Sequence, residues 1–476
     1  MDDTKKPRLS RVSWPPRTPL LRALLLLLCC LSSSVVVVSA QECFQSNQEL
    51  ASAVQGYLNN DAQVLETYGS VIGDWCVSDV TDFSGIFQDA ANFSEPLSGW
   101  DVSKAIEMVD MFHGATQFDQ DLSMWNVSNV MTMRNMFWNA HSFNSPLANW
   151  DTSRVVNLRN LFYASGYNQP LETWNVGNVK TMAYMFAFSP FDQPLATWNV
   201  VNVERFENMF WTTPFNQDIS SWKTTSAINM EWMFAGNVAF DQAIGAWDVS
   251  KVEKFSHMFS GLGTSSSKFN QDLSAWNTRS AVDTSWMFHF AAQFDSDLSG
   301  WNVTSVRFMD EMFAGTKFSA DISSWDVSRV ENTEQMFFDA TAFNVDLSSW
   351  KVTSLKNMDA MFNGATTFSQ DLCVWGDVLA PPVLTDNAFD STNCPDPDTP
   401  DLLANPRGPF CFDCSGATPR PPNPPINPPA TTPSPTTETA RPTAEPDSSG
   451  IVPARYMSGL VVATVATLFV AGTAFL

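Results

Sequence analysis

Residues 120–144 read QDLSMWNVSNVMTMRNMFWNAHSFN, and this unit recurs, with drift, about a dozen times along the chain. Trp marks one beat, at Trp75, Trp100, Trp125, Trp150, Trp174, Trp198, Trp222, Trp247, Trp276, Trp301, Trp325, Trp350 and Trp375. A Met-Phe pair marks a second, as in Met111-Phe112, Met136-Phe137 and Met361-Phe362. The interval is 24 or 25 residues, with one of 29 before Trp276. A fixed period of this length signals a stacked repeat array, in which each repeat is one supersecondary unit that cannot bury its apolar face alone.

Within the unit, LSMWNVSNV fits the template LxxLxLxxN with Trp at the second apolar slot. Alternation turns Trp125 and Val127 inward and Asn126 outward, which predicts a short strand. Val130, Met133, Phe137 and Ala140 then follow at three- and four-residue steps, which predicts a helix of about two turns. The expected fold is an α/β repeat solenoid of right-handed strand–helix turns with a parallel sheet. Trp125, Trp150, Trp222, Trp325, Phe137 and Phe337 are expected in its core ladder.

The units WDVS, NVxxMxxMFxGAxxF and FNQDLSxW, seen in GATQFDQDLSMWNVSNV and ADISSWDVSRVENTEQMFFDATAF, resemble the BspA-type leucine-rich-repeat surface proteins. That resemblance implies a leucine-rich-repeat-like fold, cell-surface display, and adhesion or recognition through the solenoid face. It carries no catalytic residues. Arg154, Lys251 and Arg329 stand where the template has Asn, so the usual Asn ladder is incomplete.

The flanks suggest how the array is delivered. Residues 1–22 are basic, apolar runs follow from Ala23 and from Val35, and Val38-Ser39-Ala40 ends them with small residues. This reads as a signal peptide over residues 1–40. Residues 41–74 form an N-terminal cap, with Ser46 and Glu49 placed for a capping box. The array occupies residues 75–375, and residues 376–417 form a Cys-containing C-terminal cap. Residues 418–450 are a stalk rich in Pro, Thr and Ser. Within residues 451–476 a short spacer leads to an apolar run from Met457 to Leu476 that ends without a basic flank, and Ser448, Ser449 and Gly450 precede them. That order fits attachment of a glycosylphosphatidylinositol lipid, and a transmembrane helix is the alternative.

Secretion decides how the cysteines are read. Cys43, Cys76, Cys373, Cys394, Cys411 and Cys414 all lie at the two ends of the array. In an oxidising compartment they are expected to pin the caps as disulfides. Cys43 and Cys76 form the expected N-terminal pair, and three pairings stay open for the other four. Asn92, Asn126 and Asn302 begin N-glycosylation sequons.

Two outward rows follow from the period. One is the residue after each Trp. The other is Asp121, Asp218, Asp272, Asp297, Asp321, Asp346 and Asp371. Turn chemistry accounts for this Asp row, with calcium a weak second possibility and no other cofactor expected. The net charge of −24 excludes nucleic acid as a partner, because that needs a positive face. His113, His141, His257 and His289 show no HExxH spacing and read as surface substitutions; no GxSxG or phosphate-binding glycine loop is present. No enzyme is expected. The expected protein sits on the extracellular face of the plasma membrane, held there by its C-terminal anchor. It uses the array to bind an extracellular protein or glycan; a self-associating structural coat component is the alternative.

Overall fold

In the computed structural model the chain divides into two units, residues 1–43 and 44–476. The structure describes residues 43–379, 381–405 and 407–415. The signal peptide, the stalk and the lipid-attachment residues Ser448, Ser449 and Gly450 lie outside the described residues.

The second unit opens with helix α1, Asn47–Leu58, and helix α2, Ala62–Tyr68. Ser46 caps α1 by accepting from the Glu49 N–H, and the Glu49 carboxylate reaches back to the Gln45 N–H at 2.9 Å. Leu50, Ala53 and Val54 are its buried face.

The repeats then depart from the expected strand–helix turn. Among the described residues, the only regular elements beyond α1 and α2 are two short 3₁₀ turns, Ile72–Asp74 and Cys373–Asp377. There is no sheet. One residue per repeat instead forms an isolated parallel bridge to the next, in an unbroken series from Asp82↔Glu107 to Asn357↔Leu384. The parallel-sheet, leucine-rich-repeat-like reading is therefore replaced by a stack of irregular turns.

The reason is local. The segment expected to be a helix places a residue in the left-handed region twice in most repeats, for example Asn135 at φ 59° and Asn139 at φ 57°. A right-handed helix cannot continue through such residues. The segment is a run of overlapping turns. Met136, Trp138 and Ala140 donate to carbonyls three residues back, while Met133, Asn135, Phe137 and Asn139 donate to Asn157, Arg159, Leu161 and Tyr163 in the next repeat. The sheet-like bonding thus falls where a helix was expected.

The WNV segment, expected as a strand, is three residues between two turns. Trp125 donates to the Leu122 carbonyl, Val130 to the Val127 carbonyl, and the Ser128 N–H is taken by the Asn126 side chain.

Stacking is carried by side chains. The first Phe of each repeat sits over the next, with Phe112–Phe137 centroids at 5.6 Å and Phe137–Phe162 at 5.7 Å. The second Phe lies flat on the first, as Phe137 on Phe143 at 3.9 Å. The ladder Trp residues are buried, and each from Trp100 to Trp375 donates its indole N–H to a carbonyl of the preceding repeat. Trp125 bonds Leu97 at 3.1 Å and Trp150 bonds Leu122 at 2.9 Å. This bond explains why the slot tolerates Trp in the core: the ring fills the space and its N–H finds a buried carbonyl, which thereby accepts a second bond. Trp125, Trp150, Trp222, Trp325, Phe137 and Phe337 are all at most 4% exposed.

The stack runs one partial turn past Trp375. Leu384 closes the last bridge, Asn387 is left-handed at φ 56°, and Phe389 stacks on Phe362 at 5.5 Å. Disulfides Cys373–Cys414 and Cys394–Cys411 tie the following segment across this end, which selects one of the three open pairings. Cys43 and Cys76 are each disulfide-bonded too. The extra residues of the 29-residue interval make a small turn closed by an antiparallel bridge between Leu262 and Ser265.

Candidate functional site

The left-handed slots build the most unusual surface of the molecule. The first slot holds Gly85, Asn135, Asn160 and Asn208 in some repeats, residues that tolerate positive φ. Elsewhere it holds Tyr184, Trp232, His257 and Trp286 at φ 58–60°. The second slot likewise holds Gly114, Asn139 and Gly315, but Phe188 and Phe290 in others. A bulky L-residue in this region costs roughly 1–2 kcal/mol of backbone energy. Other repeats fill these slots with smaller or more flexible residues such as Asp110, Glu311, Gln335, Ala164 and Thr212, so aromatic side chains are kept where positive φ favours Gly or Asn.

These residues meet those that follow the Met-Phe or Leu-Phe pair. The result is a continuous aromatic strip separate from the core. His113 stacks on Trp138 at 4.8 Å, Trp138 meets Tyr163 at 5.2 Å, and Tyr163 meets Phe188 at 5.5 Å. Phe188 meets Trp211 at 4.4 Å, Trp211 meets Trp232 at 5.6 Å, and Trp232 stacks on His257 at 3.8 Å. His257 continues to Trp286 at 5.0 Å, followed by His289 and Phe290. Every member is partly exposed, in contrast to the ladder Phe residues. Three of the four histidines read above as surface substitutions, His113, His257 and His289, belong to this strip.

A countable signal could have found the strip. The chain has 18 Trp, and the periodic ladder accounts for all but Trp14, Trp138, Trp211, Trp232 and Trp286. The last four are its indoles.

Polar groups flank the strip and change sign along it. At one end Arg159 stacks over Tyr184 at 5.2 Å, and Arg205 pairs with Glu207 at 2.6 Å. At the other end carboxylates accumulate. Ser285 Oγ donates to Asp310 at 2.8 Å, Trp286 Nε1 donates to Asp310 at 3.2 Å, and His289 Nε2 lies 3.1 Å from Glu311. Asn357 donates to Glu334, and the Asp386 N–H to Asp359. Burial, and after it the neighbouring Asp310, raises Glu334 above the ordinary carboxylate range. Asp283 and Glu311 are raised by burial first, with Asp310 contributing to each, and Asp359 by burial with Asp386 contributing. Burial, and next the charge of His289, holds His257 down to about 3.

The Asp row lies elsewhere and does something else. Asp121, Asp218, Asp272, Asp297, Asp321, Asp346 and Asp371 each accept the backbone N–H two residues on, at 2.8–3.0 Å. Hydrogen bonds from the following Ser, through hydroxyl and backbone N–H, hold Asp121, Asp218, Asp272, Asp297 and Asp321 below the usual range. Among the described residues no group of three or more His, Cys, Asp or Glu could hold a metal ion. Asn92, Asn126 and Asn302 are exposed, and Asn302 Oδ1 accepts from Thr304 Oγ1 at 2.6 Å.

The two carboxylate groups set opposite pH dependences. For Asp283, Glu311, Glu334 and Asp359 the folded value is raised, so their contribution to stability grows as pH falls through that value. For Asp121, Asp218, Asp272, Asp297 and Asp321 the folded value is lowered, so stability is lost as pH falls below the unfolded value of 3.8. His257 works against the raised carboxylates, because a value held down to about 3 costs stability as pH falls below the ordinary 6.5. In His257→Asn, which lacks that cost, the melting temperature is expected to exceed that of wild type increasingly from pH 7 into the mildly acidic range, and both are expected to drop in stronger acid. Parallel pH profiles for the two proteins would contradict this.

The fold and strip define a tandem-repeat protein whose repeats close into turns rather than strands and helices. The family described as "Mycoplasma protein of unknown function, DUF285" matches it five times, over residues 54–166, 146–238, 188–292, 212–317 and 297–381. Together these matches run from residue 54 to residue 381, well over half of the chain, and the chain belongs to this family. No curated protein and no solved structure matches it.

Proposed function

We propose that this chain is a cell-surface binding protein that recognises an extracellular protein or glycan along the aromatic strip. One observation carries the reading: Tyr184, Phe188, Trp232, Trp286 and Phe290 are kept in left-handed backbone, in slots that Gly or Asn occupies in several other repeats. Backbone strain held by partly exposed residues marks a candidate binding surface, and Trp and Tyr are among the residues that dominate binding energy. The resemblance to BspA-type surface proteins supports display and adhesion. The leader, stalk and anchor read from residues 1–40 and 418–476 support delivery to the outer face of the plasma membrane.

The test separates binding from folding. The full-length protein is screened against a glycan array and a panel of extracellular proteins, and Trp232→Asn is compared on whatever binds. This variant is expected to fold at least as well, because Asn suits the backbone there. It is expected to lose about 2 kcal/mol or more of affinity, as a central aromatic anchor does. Undiminished binding by both Trp232→Asn and Trp211→Ala would sink the assignment of the strip.

A further inference from the structure

We propose that the C-terminal part of this face, from Trp286 to Asp359, docks a cationic polypeptide segment whose guanidinium and ammonium groups lie between half-exposed rings and carboxylates. The proposal rests on the recognition reading of the strip and adds the chemistry of the partner.

The charge distribution points to it. Asp283, Asp310, Glu311, Glu334 and Asp359 recur over successive turns, all half-buried. Among the described residues, no Lys or Arg stands within ion-pair distance of any of them, and Glu311 alone has a basic neighbour, His289 at 3.1 Å. The neighbouring cations are taken elsewhere: Arg307 and Lys356 both pair with Glu331, and Lys254 with Glu231. Carboxylates desolvated beside one another without a cation repel, and an incoming positive group relieves that repulsion.

The aromatic residues add a second requirement that the same groups meet. This chain's own guanidiniums already stack on its rings twice, Arg159 over Tyr184 at 5.2 Å and Arg307 over Phe308 at 5.3 Å. A cation arriving at Trp286 finds a π-system already hydrogen-bonded to the Asp310 carboxylate. A second copy of this chain is a poor occupant, since two such acidic faces repel.

The experiment uses full-length protein and a fluorescein-labelled alternating Arg-Ser decapeptide, with anisotropy read at physiological ionic strength. An alternating Glu-Ser peptide is the control. The wild type is expected to bind the Arg peptide and not the Glu peptide. The triple variant Asp310→Asn, Glu334→Gln, Asp359→Asn is expected to bind about tenfold more weakly or worse. Its amides keep the hydrogen-bond acceptors and remove repulsion, so its melting temperature should not fall, and this checks folding.

A second triple variant, Asp297→Asn, Asp321→Asn, Asp346→Asn, removes the same charge from the turn row. Asp297 has Asp272 and Asp321 as charged neighbours, whereas Glu334 has Asp310, Asp359 and Glu311. It should bind within about twofold of wild type, as exposed distant charges do. Equal weakening by both triples would reduce the effect to net charge and overturn the proposal, as would failure of the Arg peptide to bind. If some other ligand still depends on Trp232 in either case, the recognition reading of the strip stands and only the cationic partner is lost.

Discussion

Trp222→Ala is expected to destabilise the stack by about 3–5 kcal/mol in denaturant melts. Trp222 is 1% exposed and lies midway along the array. Its ring stacks on Trp247 at 6.0 Å and packs against Phe206 at 5.9 Å. Removal leaves a cavity that cannot collapse, because the turns on both sides are held by their own backbone bonds and ladder residues. Trp222→Phe dissects the effect. It keeps most of the apolar contact but deletes the indole N–H that bonds the Leu195 carbonyl at 3.0 Å. The Leu195 carbonyl keeps the Trp198 N–H at 3.1 Å, so the variant loses one buried hydrogen bond, about 1 kcal/mol, and Phe should fall between Trp and Ala. A loss below about 1 kcal/mol for Ala would place this ladder outside the core.

The second large effect concerns the C-terminal end. Replacing Cys394 and Cys411 by Ser is expected to cost about 3 kcal/mol, from a bridge that spans 17 residues of sequence. Cys373–Cys414 spans 41 residues around it, so reduction of both should exceed either alone. The bridges hold Phe410, fully buried, against Phe389 at 6.5 Å, which covers the last stacked ring. A repeat stack without its cap frays from that end. Reduced protein should therefore be cut by protease within residues 384–415 before the central repeats yield. Identical melting and cutting of reduced and oxidised protein would show that the bridges pin nothing.

Much of this was legible without coordinates. The 24–25-residue beat, the inward Trp and Phe, and the cysteines gathered at both ends all follow from residue type and spacing. Period and burial depend on apolar side chains, and those recur in register whatever path the backbone takes between them. The capping box of α1 was also readable, because Ser46 and Glu49 act on neighbours in sequence.

The path itself was not read. Met133, Phe137 and Ala140 keep helical spacing, yet Asn135 and Asn139 are left-handed between them. Gly114, Gly236, Gly315 and Gly364 at the second slot carried the warning, since Gly there suits positive φ. Phe188 and Phe290 in the same slot obscured it, because such residues adopt that backbone only when the surrounding turns impose it.

What the sequence alone determined is therefore the repeat, its core composition and its closed ends, since these depend on apolar spacing and cysteine placement. Only the tertiary structure decided which segment bonds to the next repeat, and that Trp138, Trp211, Trp232 and Trp286 share one face. Their sequence intervals are irregular because they occupy two different slots of the turn, and stacking neighbours is what brings those slots together.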